Sequence, residues 1–166
     1  MIKLDYNKIN ISELNKITGK LIYDRTQSDV DYALSCRRGC IYSEQDLKGA
    51  YNISDRNRVG AAVNFLAACL WETGTRELLI NIREDWNLYD IIKRADNGKV
   101  LSSLALLKIF LPYDRTGEIP ENLDGMTYIK ANNLEKALLD LYGVFERILD
   151  SWLYCGEAHA SEENNY

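Results

Sequence analysis

A single histidine, His159, is the whole imidazole complement of this 166-residue chain, and it lies in a polar stretch near the end. A Ser-His-Asp or Cys-His mechanism, or a histidine-built metal site, would rest on that one residue. Prolines number only two, which excludes long proline-rich linkers. No apolar run reaches the ~18 residues that a membrane span needs. The opening MIKLDYNKIN lacks the apolar core of a secretory signal. Basic charge is not in excess either: 20 Lys and Arg stand against 25 Asp and Glu, a net charge of −5. That balance argues against nucleic acid or an anionic membrane as partner. The expectations are no nucleic acid, no membrane insertion and no secretion by a signal peptide.

What is present describes a globular chain. It is 46% hydrophobic and 27% charged, and at this length folding buries roughly 70% of the unfolded surface without a staple. No secretory signal accompanies the four cysteines, Cys36, Cys40, Cys69 and Cys155, so a disulfide framework is not the expectation. Cys36 and Cys40 in CRRGC would share a helix face, but no second pair or nearby histidine completes a zinc set. Cys69, in FLAACLW, reads as a small core residue. No P-loop, G-x-G-x-x-G, H-E-x-x-H or G-x-S-x-G is found. The expectation is no catalytic residue, no cofactor and no metal.

An irregular internal repeat organises the chain. Asn10 to Ile17 reads NISELNKI, and Asn52 to Val59 reads NISDRNRV. A weaker copy keeps Asn87, Asp90 and Lys93, and a fourth matches at Asn132 and Leu134. Tyr23-Asp24-Arg25-Thr26 returns as Tyr113-Asp114-Arg115-Thr116. Asn or Ser before an apolar-periodic run is an N-cap, and an acid in the first turn suits the helix dipole. Asn52 or Ser54 is the predicted cap and Asp55 the first-turn acid; Asp55, Asn57 and Arg58 either orient the preceding loop by local hydrogen bonds or bind an anionic ligand or a neighbouring loop. The stripe Val59, Val63, Leu66, Leu70 follows, with Gly74 as the stop.

Elsewhere, Thr26 opens a helix to about Arg37 with Val30, Ala33 and Leu34 inward. Ser43 and Asp46 have capping-box spacing. Glu77 to Arg83 has strand character, and Val100 to Leu111 reads as a buried helix stopped by Pro112. Leu134, Leu138, Leu141, Phe145, Ile148 and Trp152 recur at heptad spacing. They serve either as the core face of a bundle helix or as a seam between chains. The predicted fold is mainly α: a compact bundle of repeated capped helices, with room for one short strand pair and a long C-terminal heptad helix. Residues 1–74 and 75–166 form two helical lobes or one domain.

The order of motifs resembles a family of small structural proteins from the tail and baseplate region of phages and prophages of Gram-positive bacteria. The resemblance rests on Asp24-Arg25-Thr26-Gln27-Ser28-Asp29-Val30, then Lys48-Gly49-Ala50-Tyr51-Asn52 with Asp55, Asn57, Arg58 and Val59. It continues through Glu84-Asp85-Trp86 and Gly125-Met126-Thr127-Tyr128 with Ala131, Asn132, Glu135, Leu138 and Leu139, and closes on Tyr154-Cys155-Gly156-Glu157. Cys155 stands where the family has serine. The resemblance implies a non-enzymatic viral structural protein, in the virion or in the bacterial cytoplasm before assembly. Its partners would be its own copies and other tail proteins. A host-surface glycan has nothing in the sequence to support it.

The interface candidates are the heptad residues together with Arg25, Arg115, Tyr51 and Tyr113. For the Asp-Arg-Thr pair the alternative is that each caps its own helix. The alternative function is a small adaptor or binding module: a tail assembly chaperone, a host-surface-binding element or a cytoplasmic regulator.

Overall fold

The computed structural model describes residues 2–4, 11–38, 47–72, 76–77, 80–110 and 118–162, with side chains over 12–36, 47–69, 80–109 and 118–151. The elements in chain order are β1 (Ile2–Leu4), α1 (Ile11–Thr18), α2 (Gln27–Arg38), α3 (Ile53–Cys69), β2 (Leu70–Glu72), β3 (Arg76–Glu77), α4 (Arg94–Phe110) and α5 (Tyr128–Glu162). The fold is mainly helical, and α3 packs on α1, α4 and α5. The strands form one small antiparallel sheet in the order β1-β2-β3, with Lys3 opposite Trp71 and Trp71 opposite Glu77.

Three helix starts follow one rule. An aspartate three residues on turns its carboxylate back to a free backbone N–H, as the acid of a capping box does. Asp29 accepts from Thr26 N at 2.8 Å, Asp55 from Asn52 N at 2.8 Å and Asp96 from Lys93 N at 2.9 Å, opening α2, α3 and α4. Two hydrogen bonds from Thr26 hold the Asp29 carboxyl below its usual range. At α3 the cap is Asn52, whose Oδ1 accepts from Ser54 N at 2.9 Å and Asp55 N at 3.2 Å. The copy at Asn87 builds a turn rather than a helix: Asp90 accepts from Asn87 N at 2.8 Å. The copy at Asn132 lies inside α5 and caps nothing. Thr127 caps that helix, accepting from Lys130 N at 3.2 Å, after Gly125 has turned the chain at φ 57°.

One core draws on both halves of the chain. Leu14, Leu21, Val59, Val63, Leu66, Ile82, Leu104, Leu107, Leu134 and Phe145 belong to a single buried cluster, so no division of the core falls at residue 74. The heptad of α5 is core. Leu134, Leu138, Leu141 and Phe145 are each 0% exposed, and burying such a side chain contributes roughly 1.5–3 kcal/mol. As interface candidates they are corrected, because full burial inside the chain leaves them no surface to offer. Ile148 is partly buried against the same core, and the Trp152 side chain lies outside the described residues.

Three element assignments change. The helix expected to run to Gly74 ends at Cys69, and Leu70 pairs with Leu4 in the sheet. Helix α4 begins at Arg94, before Val100, and is two-sided. It buries Val100, Ser103, Leu104 and Leu107 and leaves Leu106 and Ile109 exposed. On α2, Ala33 is buried and Val30 half-buried, but Leu34 is exposed. Ser43, Asp46, Gly74, Pro112, Cys40 and Cys155 fall outside the described structure or its side chains.

Gly60 and Gly49 mark close approaches. A β-carbon at Gly60 would stand 2.7 Å from the carbonyl oxygen of Arg83. One at Gly49 would overlap the backbone of Asp29 and Val30. Substituting Gly60→Ala therefore forces the 82–86 segment off α3. Urea unfolding should show a loss of about 1–3 kcal/mol despite alanine's better helix propensity, and an unchanged midpoint would show that the contact is slack.

Candidate functional site

Four charged side chains meet in the interior. Arg25 comes from the stretch between α1 and α2, Asp55 and Arg58 from the first turns of α3, and Glu135 from the second turn of α5. Arg25 Nη2 donates to Asp55 Oδ1 at 2.7 Å and to Glu135 Oε1 at 2.8 Å. Arg58 grips Glu135 with both arms of its fork, Nη2 to Oε1 at 2.7 Å and Nε to Oε2 at 2.9 Å, and also pairs with Asp55. Arg25 and Asp55 are 3% and 4% exposed, and Glu135 is 0%.

Backbone groups complete the shell. Ile22 N donates to Glu135 Oε2 at 2.7 Å, while Arg25 gives Nη1 to Ile22 O at 2.6 Å and Nε to Lys48 O at 3.0 Å. Two cations and two anions thus form a neutral, hydrogen-bonded cluster, the condition under which buried charge is tolerated. The two carboxylates hold the Arg58 guanidinium well above its ordinary range, against the opposing effect of burial. Tyr51 stacks beneath Arg25 at 5.9 Å, and burial foremost raises its phenol above the usual value.

Asparagines fasten the irregular stretches. Asn57 accepts from Trp86 N at 2.8 Å and donates to Trp86 O at 3.0 Å. Asn64 does the same for Ile82, at 2.8 and 2.7 Å, and Asn132 for Arg25, at 3.0 and 2.8 Å. A side-chain amide has one acceptor and a donor pair on the same face, so it imitates a neighbouring strand. It satisfies both backbone groups of a residue that regular structure does not serve.

The 82–86 segment, so fastened, walls a cavity of about 400 Å³ with α3 and α4, lined by Arg56, Arg83, Trp86, Asp96 and Lys99 among others. Trp86 is 8% exposed, with the guanidinium carbons of Arg56 and Arg83 at 4.8 and 4.5 Å from its ring centre. Arg83 is neutralised by Asp85 and Asp90, both at 2.8 Å. Arg56 is 9% exposed and feels the Asp96 carboxylate, but its buried Nε has no hydrogen-bond partner. Burial pulls its guanidinium below the ordinary range. The chain then emerges as the 87–92 stretch, where Leu88, Tyr89 and Ile91 are 86%, 94% and 82% exposed.

The predicted site residues divide accordingly. Asn52, Ser54 and Asp55 form the helix start as expected. Of the two readings for Asn57 and Arg58, Asn57 follows the second, holding a distant loop at Trp86, while Arg58 joins Asp55 to Glu135 on another helix. Arg25 is corrected from interface residue to buried ion-pair partner, because its charge is fully engaged inside the fold. Its neighbour Thr26 does cap α2, accepting from Asp29 N at 3.3 Å. Tyr51 is half-buried over Arg25. Arg115 and Tyr113 lie outside the described residues. Sequence reasoning named Glu135 only as part of the resemblance, with no role, and passed over Arg56 and the 88–92 stretch. The first two are single charged letters in helical context, but the run Leu88, Tyr89, Ile91, Ile92 was visible as apolar residues between two capping boxes.

Among the described residues no His, Cys, Asp and Glu group could hold a metal ion, and no helix is long and apolar enough to cross a membrane. Comparison with protein-family models, curated proteins and solved structures returned no match.

Removing one member of the charge cluster leaves its partners buried and unpaired. Glu135→Gln keeps the shape but deletes the charge, and should cost about 3–5 kcal/mol of unfolding free energy. Chemical denaturation measures this; a loss below about 1 kcal/mol, the size of a surface pair, would show the cluster to be peripheral.

Proposed function

We propose that this chain is a non-enzymatic structural component of a phage or prophage tail or baseplate, packing against its own copies and neighbouring tail proteins. The observation that carries the reading is the exposed apolar stretch after Trp86. Leu88, Tyr89 and Ile91 stand almost fully in solvent, and a cluster of large apolar side chains on a surface marks a contact site. Tyrosine in particular is enriched in protein interfaces. The stretch is held firmly at its base by Asn57 and by the turn that Asp90 closes. That arrangement presents the contact residues in a preorganised form, which lowers the entropy lost on association.

The motif residues behind the resemblance support a non-catalytic role. Arg25, Asp55, Arg58 and Glu135 neutralise one another inside the fold, so the charges that define the motif act as joints. Gly49, Asn52, Asn57, Trp86, Thr127 and Asn132 serve in the same way at turns, caps and braces. A virion location follows from this reading, with the bacterial cytoplasm as the place of synthesis.

The test is the mass of the purified chain by light scattering across a concentration series, with the triple variant Leu88→Ser, Tyr89→Ser, Ile91→Ser beside it. The wild-type chain should associate and also be present in purified particles. The variant should stay monomeric with its unfolding free energy within about 0.5 kcal/mol, as for surface changes generally. A wild-type chain that is monomeric throughout and missing from particles overturns the proposal.

A further inference from the structure

Helix α3 separates an exposed apolar turn from an apolar cavity. Asp55 and Arg58 face Arg25 and Glu135, whereas Asn57, Gly60 and Asn64 face the 82–86 segment. At 3.6 residues per turn the two sets stand roughly 160° apart round the helix. On the Asn57 side the chain emerges as a tightly held turn. Asn87 N donates to Asp90 Oδ2 at 2.8 Å, Tyr89 N to Asn87 Oδ1 at 3.0 Å and Asp90 N to Asn87 O at 3.1 Å, while Arg83 Nη2 holds Asp90 at 2.8 Å. Tyr89, inside this turn, is 94% exposed, more than any other large apolar side chain among the described residues.

On the Asp55 side lies a cavity of about 370 Å³, formed by the start of α2, residues 49–51 and the start of α5. Val30, Tyr51, Met126, Tyr128 and Ile129 line it. Arg25 is its one charged residue among those described, and that guanidinium is already engaged by Asp55, Glu135 and the carbonyls of Ile22 and Lys48. The cavity therefore calls for no ion. It offers aliphatic and aromatic walls, with the Gln27 amide and the Thr127 hydroxyl as polar groups.

We propose that Tyr89 of one copy of this chain enters this cavity in a second copy, joining copies head to tail. The inference rests on the reading of residues 88–91 as the surface through which copies meet, and adds where that surface docks. Tyrosine matches the cavity in kind: a large apolar ring for the walls and one hydroxyl for the polar groups. Its turn is already fixed by hydrogen bonds, so little freedom is lost on insertion. Leu88 and Ile91 beside it meet the rim, where Ile129 is 55% exposed. Because the turn and the cavity lie on opposite sides of α3, a copy does not fill its own cavity. Each contact also leaves one turn and one cavity open, so the assembly propagates into a ring or a filament.

The test follows the full chain by sedimentation velocity. The wild type should form species larger than a dimer. The variant with serine for Leu88, Tyr89 and Ile91 lacks the inserting turn. Ile129→Asp spoils the cavity by placing a carboxylate where apolar groups must pack. Position 129 is exposed and in the first turn of α5, where an acid suits the helix dipole, so the fold is kept. Each variant alone should associate at least ~10-fold more weakly than the wild type, the scale of losing a central anchor. Mixed in equal amounts they should form a dimer and stop there, since the first still offers its cavity and the second its turn. As a second readout, photoreactive benzoylphenylalanine in place of Tyr89 should crosslink to the start of α2, residues 49–51 or the start of α5 in another copy, mapped by mass spectrometry.

A mixture that stays monomeric, an Ile129→Asp chain that assembles like the wild type, or a crosslink to any other site overturns the inference. If position 89 crosslinks to residues 88–92 of another copy, the contact surface stands and its docking in the cavity falls. If the head-to-tail pattern holds while the chain is missing from particles, the docking stands and the tail reading falls. A wild-type chain that is monomeric in solution yet present in particles contradicts docking between copies and leaves the contact to a neighbouring tail protein.

Discussion

Glu135 is wholly inside the protein and accepts four hydrogen bonds, from Arg25, twice from Arg58, and from the Ile22 amide. A carboxylate can occupy such a place only if every one of those partners is present. The partners come from the stretch before α2 and from the start of α3, while Glu135 itself is on α5. These three parts of the chain must therefore dock together or leave charge stranded in the core. Replacing the whole cluster with apolar side chains could be as stable. What the charges add is a preference for the arrangement that pairs all four.

The remaining polar groups extend the same logic to the connections. Asn132 sits one turn before Glu135 and holds the backbone of Arg25, so the residue that enters the cluster is fixed by its main chain as well as its side chain. Asn57 and Asn64, seven residues apart on α3, hold Trp86 and Ile82 in the same manner. Gly60 lies between them and lets the extended segment touch the helix backbone. A two-residue slip along α3 would lose both amide pairs and drive a side chain into the space that glycine leaves. The exposed residues 88–92 are consequently anchored at a rigid point.

Much of this was written in the sequence, though not all of its meaning. Capping boxes are local, and the Asn-x-x-Asp spacing announced the start of α3, though it left Asn52 and Ser54 both open as the cap and gives only a turn at Asn87. The heptad of α5 announced a helix, but periodicity reports which residues share a face and not what covers it. Burial against α3 and α4 decides that Leu134 to Phe145 are core. Asn57 and Arg58 looked like ordinary polar residues at a helix end, since their partners lie 29 and 77 positions away. A single sequence carries no mark of such a pairing. Helix α4 misled for the opposite reason: Ala105, Leu106 and Ile109 make its composition apolar on a side that faces outward.

The central claim is that the buried cluster joins the stretch before α2 to α3 and α5 as one cooperative unit. Native-state hydrogen exchange on the Ile22 and Arg25 amides tests it most directly, because these donate to Glu135 and Asn132 from outside any helix or strand. The account predicts that they open with the same free energy as the Leu138 and Leu141 amides of α5, and only by global unfolding. Exchange of Ile22 and Arg25 at the rate of an ordinary surface loop, with the α5 amides still protected, would contradict it.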